Sequence, residues 1–332
     1  MKKRLVCLLL LLTLLLTGCT AQSKENEPDA VTSTATDPNV RTTGTGFYFD
    51  TVVTFTLYGA DATLMDDLQS ACRRYENLLS RTIADSDVGR INAAGGETVT
   101  VDPETAHILT RALEISRMTD EAFCVTIAPL TSLWDFSGGT QRMPTEEERL
   151  AALPLVDDSK LVVDGNQVSL PAGMQIDLGG IAKGYIADEL AKMCENRSHG
   201  ALLNFGGNVY VTGAKPDGTL YRVGVRDPQN TASSLAVVSM GPGTVVTSGV
   251  YERCFERDGV FYHHILDPKT GFPVETDAAG ATVVARHSID AEGYSTTLLA
   301  LGIERGIAFA RERDAILGAY FVDRDGKVAG IA

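Results

Sequence analysis

"LVVDGNQVSL", residues 161–170, sets two short runs of β-formers on either side of Asp164-Gly165. Asp-Gly between such runs signals a hairpin, because a two-residue hairpin turn needs residues that tolerate positive φ. Strands joined that tightly must run antiparallel, since parallel neighbours need a crossover of about a dozen residues. Working outward, further strands are expected at 47–59, 175–178, 201–211, 221–226, 235–240, 244–247, 260–266, 280–285 and 317–323. In the first of these, Val53, Phe55 and Leu57 alternate with polar neighbours. Leu64, Leu68, Cys72, Tyr75 and Leu79 recur at helical spacing. "VDPETAHILTRALEISRMT" (101–119) offers Asp102 as an N-cap, Pro103 at the first helical position and a stripe of Ile108, Ala112 and Ile115. Helices are also expected at 181–195 and 289–313, the second broken near Gly302. Short turns between most strands and a few long helices predict an α+β fold of mainly antiparallel sheets, not a regular βαβ repeat.

The N-terminus reads differently. Lys2, Lys3 and Arg4 precede an apolar run from Leu5 to Leu16, too short to span a bilayer comfortably and typical of a secretory signal. "TAQSKENEPDAVTSTATDPNVRTT" (20–43) has almost no large apolar side chains and reads as a tether to a folded body at 44–332. The body is long for one core and fits one large domain or two lobes. The chain carries 29 basic and 43 acidic residues, net −14, which argues against nucleic acid or charge-driven binding to an anionic surface. An anionic ligand must then be held by local donors or a metal. Cys72, Cys124, Cys194 and Cys254 lack the spacing of a zinc or redox pair, which leaves buried free thiols or one disulfide.

Three places are able to carry chemistry. In "QIDLGGIAKGYIADEL" (175–190), glycines separate a strand from a helix, and Lys183 lies in the helix's first turn. Exposed N–H groups at a helix start favour phosphate, although neither a Walker loop nor G-x-G-x-x-G is present. In "DAEGYSTTLLALG" (290–302), Glu292 and Thr296 share one helix face, with Ser295 beside it. A carboxylate with hydroxyl oxygens suits Mg²⁺ or Ca²⁺ better than Zn²⁺. An acid near the positive end of a helix gives the same pattern. Third, His263 and His264 adjoin in "HHILDPKTGFP" (263–273). Strand neighbours face opposite ways, so only one aims into a given site.

Five stretches occur in one order between residues 176 and 302: "IDLGGIAKGYIAD", "NFGGNVYVTG", "TSGVYER", "YHHILDPKTGFPV" and "EGYSTTLLALG". With "LLSRTIADSDVGRIN" and "AFCVTIAPLTSLWDF" upstream, the set resembles the ApbE family of FAD:protein FMN transferases. The resemblance implies an α+β fold of two lobes with a flavin cleft between them. It implies transfer of the FMN half of FAD to a threonine or serine hydroxyl of an exported acceptor protein, with release of AMP. It also implies a divalent metal, usually Mg²⁺, with Ca²⁺ and Mn²⁺ as alternatives. Two other readings stay open, an FAD pyrophosphatase yielding FMN and AMP, and a flavin-binding lipoprotein without turnover.

By the same resemblance, His264 is the active-site histidine. Metal positions fall at Gly180, Glu292, Ser295 and Thr296, and cofactor positions at Thr82, Ala122, Phe123, Cys124, Asp177, Lys183 and Ile265. Leu16-Thr17-Gly18-Cys19 resembles a lipobox. It implies removal of residues 1–18, lipid on Cys19, and a protein anchored to the outer face of a bacterial cell membrane. Four departures stand out. Glu292 replaces the family's common Asp, Cys124 replaces the Asp of its Gly-x-Phe-Asp, Phe49-Asp50-Thr51 replaces Met-Gly-Thr, and Thr82 replaces a frequent aromatic.

Overall fold

The computed structural model describes residues 37–137, 139–230 and 233–332. The signal stretch, Cys19 and most of the expected tether lie outside them. Strand β1 (Arg41–Tyr48) begins inside the expected tether. It is an exposed edge strand that pairs with β2 (Thr51–Tyr58) through backbone groups, which needs no apolar side chains.

Residues 47–59 are thus not one strand but the end of the first arm, the turn and the second arm of a hairpin. Phe49 and Asp50, with φ of 55° and 58°, turn the chain, the positive-φ pair that a tight hairpin requires. The Phe49 N–H donates to Glu76 Oε1 (3.0 Å), which fixes the turn against α1 (Leu64–Leu79). Next come α2 (Asp87–Ala93), β3 (Val99–Thr100) and α3 (Pro103–Met118), whose Asp102 cap accepts from the Glu104 N–H. Short helices α4 (Ala128–Thr131) and α5 (Glu146–Ala152) precede the hairpin β4 (Val162–Asp164) and β5 (Gln167–Ser169) expected at Asp164-Gly165.

Residues 175–178 form no strand. The Ile176 N–H and carbonyl are taken by the Asn92 side chain, and the Asp177 N–H by the Val125 carbonyl, so no ladder develops. Helix α6 (Ala182–Cys194) follows, then β6 (Gly200–Phe205) and β7 (Asn208–Gly213). The run 201–211 is therefore two strands, divided by Gly206 and Gly207 at φ 70° and 121°. β8 (Tyr221–Arg226) pairs with β9 (Ser234–Met240), and β10 (Gly243–Gly249) leads to a further hairpin, β11 (Cys254–Arg257) and β12 (Val260–His263). β13 (Ala278–Ala285), α7 (Ser288–Leu301), α8 (Ile303–Arg311), β14 (Ile316–Asp323) and β15 (Val328–Ile331) complete the chain. Gly302, at φ 78°, breaks the long helix as expected.

The main sheet has the order β1-β2-β6-β7-β10-β13-β14-β15, antiparallel throughout. Its helix-facing side buries Phe55, Phe205 and Phe321 in a core shared with α1, α3, α6 and α7. A smaller core of Leu130, Trp134, Ala152, Phe255 and Leu266 unites α4, α5 and the β11–β12 hairpin, within the one compact unit that the described residues form. Cys72, Cys124, Cys194 and Cys254 are free thiols.

Helices α6 and α7 touch where Gly184 faces the start of α7. A Cβ at Gly184 would lie 2.3 Å from the Ser288 carbonyl oxygen. Gly184→Ala is therefore expected to destabilise the protein by about 1–3 kcal/mol through overpacking, read as a lowered urea midpoint.

Candidate active site

The Gly179-Gly180 turn delivers the start of α6. Asp177 Oδ1 accepts from the Gly179 N–H (2.8 Å), and Asp177 Oδ2 meets Arg81 Nε at 3.3 Å. Lys183, in the first turn of α6, forms an ion pair with Glu292 of α7 and donates to the Gly179 carbonyl (3.0 Å). The other Glu292 oxygen accepts from the Gly184 N–H and, at 3.4 Å, from the Asn208 amide. Glu292 is 4% exposed, a buried carboxylate with every oxygen partnered, as burial of a charge demands.

The remaining metal-position residues gather around this pair. Thr296 Oγ1 lies 3.3 Å from Ser248 Oγ, and a Cβ on Gly180 would stand 4.0 Å from Thr296 Oγ1 and 3.1 Å from the Phe123 ring. Ser295 Oγ, fully buried, bonds Ser248 Oγ (2.8 Å) and donates to the Glu292 carbonyl (3.0 Å), so it faces its own helix and β10. Among the described residues no three His, Cys, Asp or Glu side chains cluster as a metal site. A cation here must draw on Glu292 with hydroxyl and carbonyl oxygens, the hard set that suits Mg²⁺. The ammonium seated between Glu292 and the Gly179 carbonyl shows that this pocket accepts positive charge.

His264 lies one residue past β12, in a bend, not in the strand expected over 260–266. The strand stops because the chain folds back through the Asp267–Gly271 turn, where Leu266 bridges Pro273. The opposite-face argument therefore fails, and both rings are drawn inward: His263 is 3% exposed and His264 half-buried. His264 Nδ1 lies 3.3 Å from the Arg253 carbonyl. A carbonyl only accepts, so the proton sits on Nδ1 and Nε2 keeps its lone pair. Burial, then the nearby Arg253 charge, pushes the His264 pKa down to about 3, and burial takes His263 to about 4. Both rings are neutral when folded, whereas the unfolded chain protonates near pH 6.5. The stability they confer is complete above that value and is lost as pH falls towards 4 and 3. The ring-proton NMR shifts of His264 should accordingly stay fixed between pH 8 and 5. A midpoint near 6.5 would contradict the assignment.

The cofactor positions are less closely gathered. Phe123 packs beside Gly180, and Ala122 adjoins it in sequence. Cys124 Sγ donates to Asp158 Oδ1 (3.1 Å). Asp158 also takes the Val125 and Thr126 N–H groups and the Thr126 hydroxyl, so a buried carboxylate sits beside the thiol in this loop. Ile265 packs on the large core. Thr82 turns its hydroxyl to Ser80 (3.0 Å), while its neighbour Arg81 reaches Asp177 and Ser132.

Two residues of the site escaped the sequence reading. Asp188, on α6, caps α7 by accepting the Ser288 and Ile289 N–H groups at 2.7 and 2.9 Å, which fixes the helix that carries Glu292. Burial raises its pKa to about 6 against those bonds. It ends the "IAKGYIAD" stretch, but a cap supplied from another helix leaves no local signal. Glu252, in "TSGVYER", keeps solvent contact at the rim. Protein crowding raises its pKa against the pull of Lys183, Arg226 and Arg253, with Glu292 adding to the rise. It lines a cavity of about 120 Å³ with Asn204, Gly206, Gly207, Arg226 and Tyr251.

The model of the ApbE family matches residues 49–321. The chain belongs to the ApbE family. It is 36% identical over 275 residues to the FAD:protein FMN transferase of Klebsiella pneumoniae, covering 81% of this chain and 85% of that one. The FAD:protein FMN transferase of Treponema pallidum is 34% identical over 287 residues, 81% of this chain and 79% of its own. Among solved structures, the ApbE protein of Thermotoga maritima superposes with a TM-score of 0.81 at 29% identity, covering 87% of this chain and 96% of that one. The flavin transferase ApbE of Vibrio cholerae gives 0.79 at 26% identity, covering 89% and 97%. The α+β architecture of antiparallel sheets is thus that of ApbE structures.

Proposed function

We infer that this protein is an FAD:protein FMN transferase, which moves the FMN half of FAD onto a hydroxyl of an acceptor protein and releases AMP. The observation that carries the reading is the meeting of Lys183 and Glu292 at the Gly179-Gly180 turn. The names of the relatives supply the substrate class.

Glu292, Thr296 and the Gly180 carbonyl would hold a divalent metal such as Mg²⁺, with Ser295 and Ser248 supporting them. When bound, that metal neutralises charge on the pyrophosphate. Lys183 and the N–H groups at the start of α6 attract the same anionic oxygens. His264 Nε2 takes the proton from the acceptor threonine or serine hydroxyl as its oxygen attacks the FMN-side phosphorus. The bond to the AMP oxygen breaks, and AMP departs with the electron pair. Thr82, Ala122, Phe123, Cys124, Asp177 and Ile265, with Lys183, remain the proposed cofactor contacts. The lipobox-like Leu16-Thr17-Gly18-Cys19 supports an exported protein held by lipid at the outer face of the cell membrane. No described helix is long and apolar enough to cross a bilayer.

The test is incubation with FAD, Mg²⁺ and an acceptor protein bearing the target hydroxyl. A fluorescent, mass-shifted acceptor with matching AMP supports transfer. AMP with free FMN and no labelled acceptor would make the protein a pyrophosphatase, and intact FAD a flavin carrier.

A further inference from the structure

The Lys183–Glu292 pair poses a problem of charge. The Glu292 side chain is 6% exposed and that of Lys183 25%, so the ammonium stands between a buried carboxylate and solvent. Nζ also donates to the Gly179 carbonyl (3.0 Å). The second Glu292 oxygen is held by the Gly184 N–H and the Asn208 amide. The ammonium thus lies against both elements to which the function above assigns a divalent cation. Like charges repel strongly at contact distance in such partly dry surroundings. A buried carboxylate, however, must keep a cationic or hydrogen-bonded partner at every stage. Lysine suits an exchange of partners, being a compact charge on a flexible stem. Anionic oxygens at the start of α6 would lie within its sweep.

We propose that Lys183 is the exchangeable counter-ion of Glu292. A divalent cation takes the carboxylate by displacing the ammonium, and the freed ammonium turns to the diphosphate of the dinucleotide. Metal and FAD then bind cooperatively through one side chain. The inference rests on the metal reading above and concerns the order of charge exchange within it.

The test is equilibrium binding of Mn²⁺ to the full folded chain, followed by electron paramagnetic resonance of the free ion, with and without FAD and with no acceptor present. Without FAD, Lys183→Met should bind Mn²⁺ at least about tenfold more tightly than the wild type, because its internal competitor is gone. FAD should tighten Mn²⁺ binding to the wild type by about 5- to 150-fold, and clearly less in the variant. Lys183→Met should also melt lower without metal and recover with Mn²⁺. Lys183→Gln serves if the methionine variant misfolds. Lys192→Met controls for general charge, since Lys192 pairs with Glu189 on the same helix.

Equal or weaker Mn²⁺ binding in Lys183→Met would overturn the proposal, as would equal tightening in Lys192→Met. Loss of Mn²⁺ in Glu292→Gln, with wild-type affinity in Lys183→Met, would sink the exchange alone. Wild-type Mn²⁺ affinity in Glu292→Gln would sink the metal assignment and the exchange with it.

Discussion

Glutamine in place of Glu292 is expected to lower FMN transfer by at least about a thousandfold, since metal stabilisation of a reacting phosphate supplies several kcal/mol and each 1.4 kcal/mol is a factor of ten. The amide keeps the shape and its carbonyl still accepts from the Gly184 N–H, so the contact between α6 and α7 survives. What goes is the carboxylate that pairs with Lys183, whose ammonium also meets the Gly179 carbonyl. Lys183 is partly exposed and can turn to water, so the fold should lose only about 1 kcal/mol. The measurement is single-turnover release of AMP against Mg²⁺ concentration, beside a urea melt. Activity within tenfold of wild type, with unchanged Mg²⁺ dependence, would remove Glu292 from the site.

Loss of the imidazole in His264→Ala should slow transfer by about 10²- to 10⁴-fold, the usual contribution of a positioned general base. FAD affinity should hold, because the ring meets the Arg253 carbonyl and not the Lys183–Glu292 pair. Added imidazole should restore part of the rate. His263→Ala provides the contrast. That ring is buried, hydrogen-bonds the Val274 backbone and leaves Nδ1 without a partner among the described residues, so its removal should affect stability before rate. Equal rates for wild type and His264→Ala would assign the base elsewhere, with Glu252 next in line.

Much of the scaffold is legible along the chain. Val53, Phe55 and Leu57 alternate and are buried. Leu64 to Leu79 repeats at helical spacing and is one helix, and Asp102 caps α3. The failures share a cause. Phe49-Asp50 and Gly206-Gly207 reverse the chain inside runs that read as continuous strands, since β-forming composition does not report a positive φ. Residues 175–178 have strand composition, but Asn92 and Val125 take their backbone groups first.

By its own pattern the sequence determined the antiparallel α+β architecture, the break at Gly302 and the residue types from which a phosphate-handling site is built. Those follow from periods of two and 3.6 residues and from turn chemistry, all local properties. Only the tertiary structure decided that Glu292 meets Lys183, that Asp188 caps the helix bearing Glu292, and that His264 sits in a bend with Nε2 unprotonated. Each of these depends on which side chains packing brings together from distant elements, and on the loss of water around them, neither of which is written in the spacing of residues along the chain.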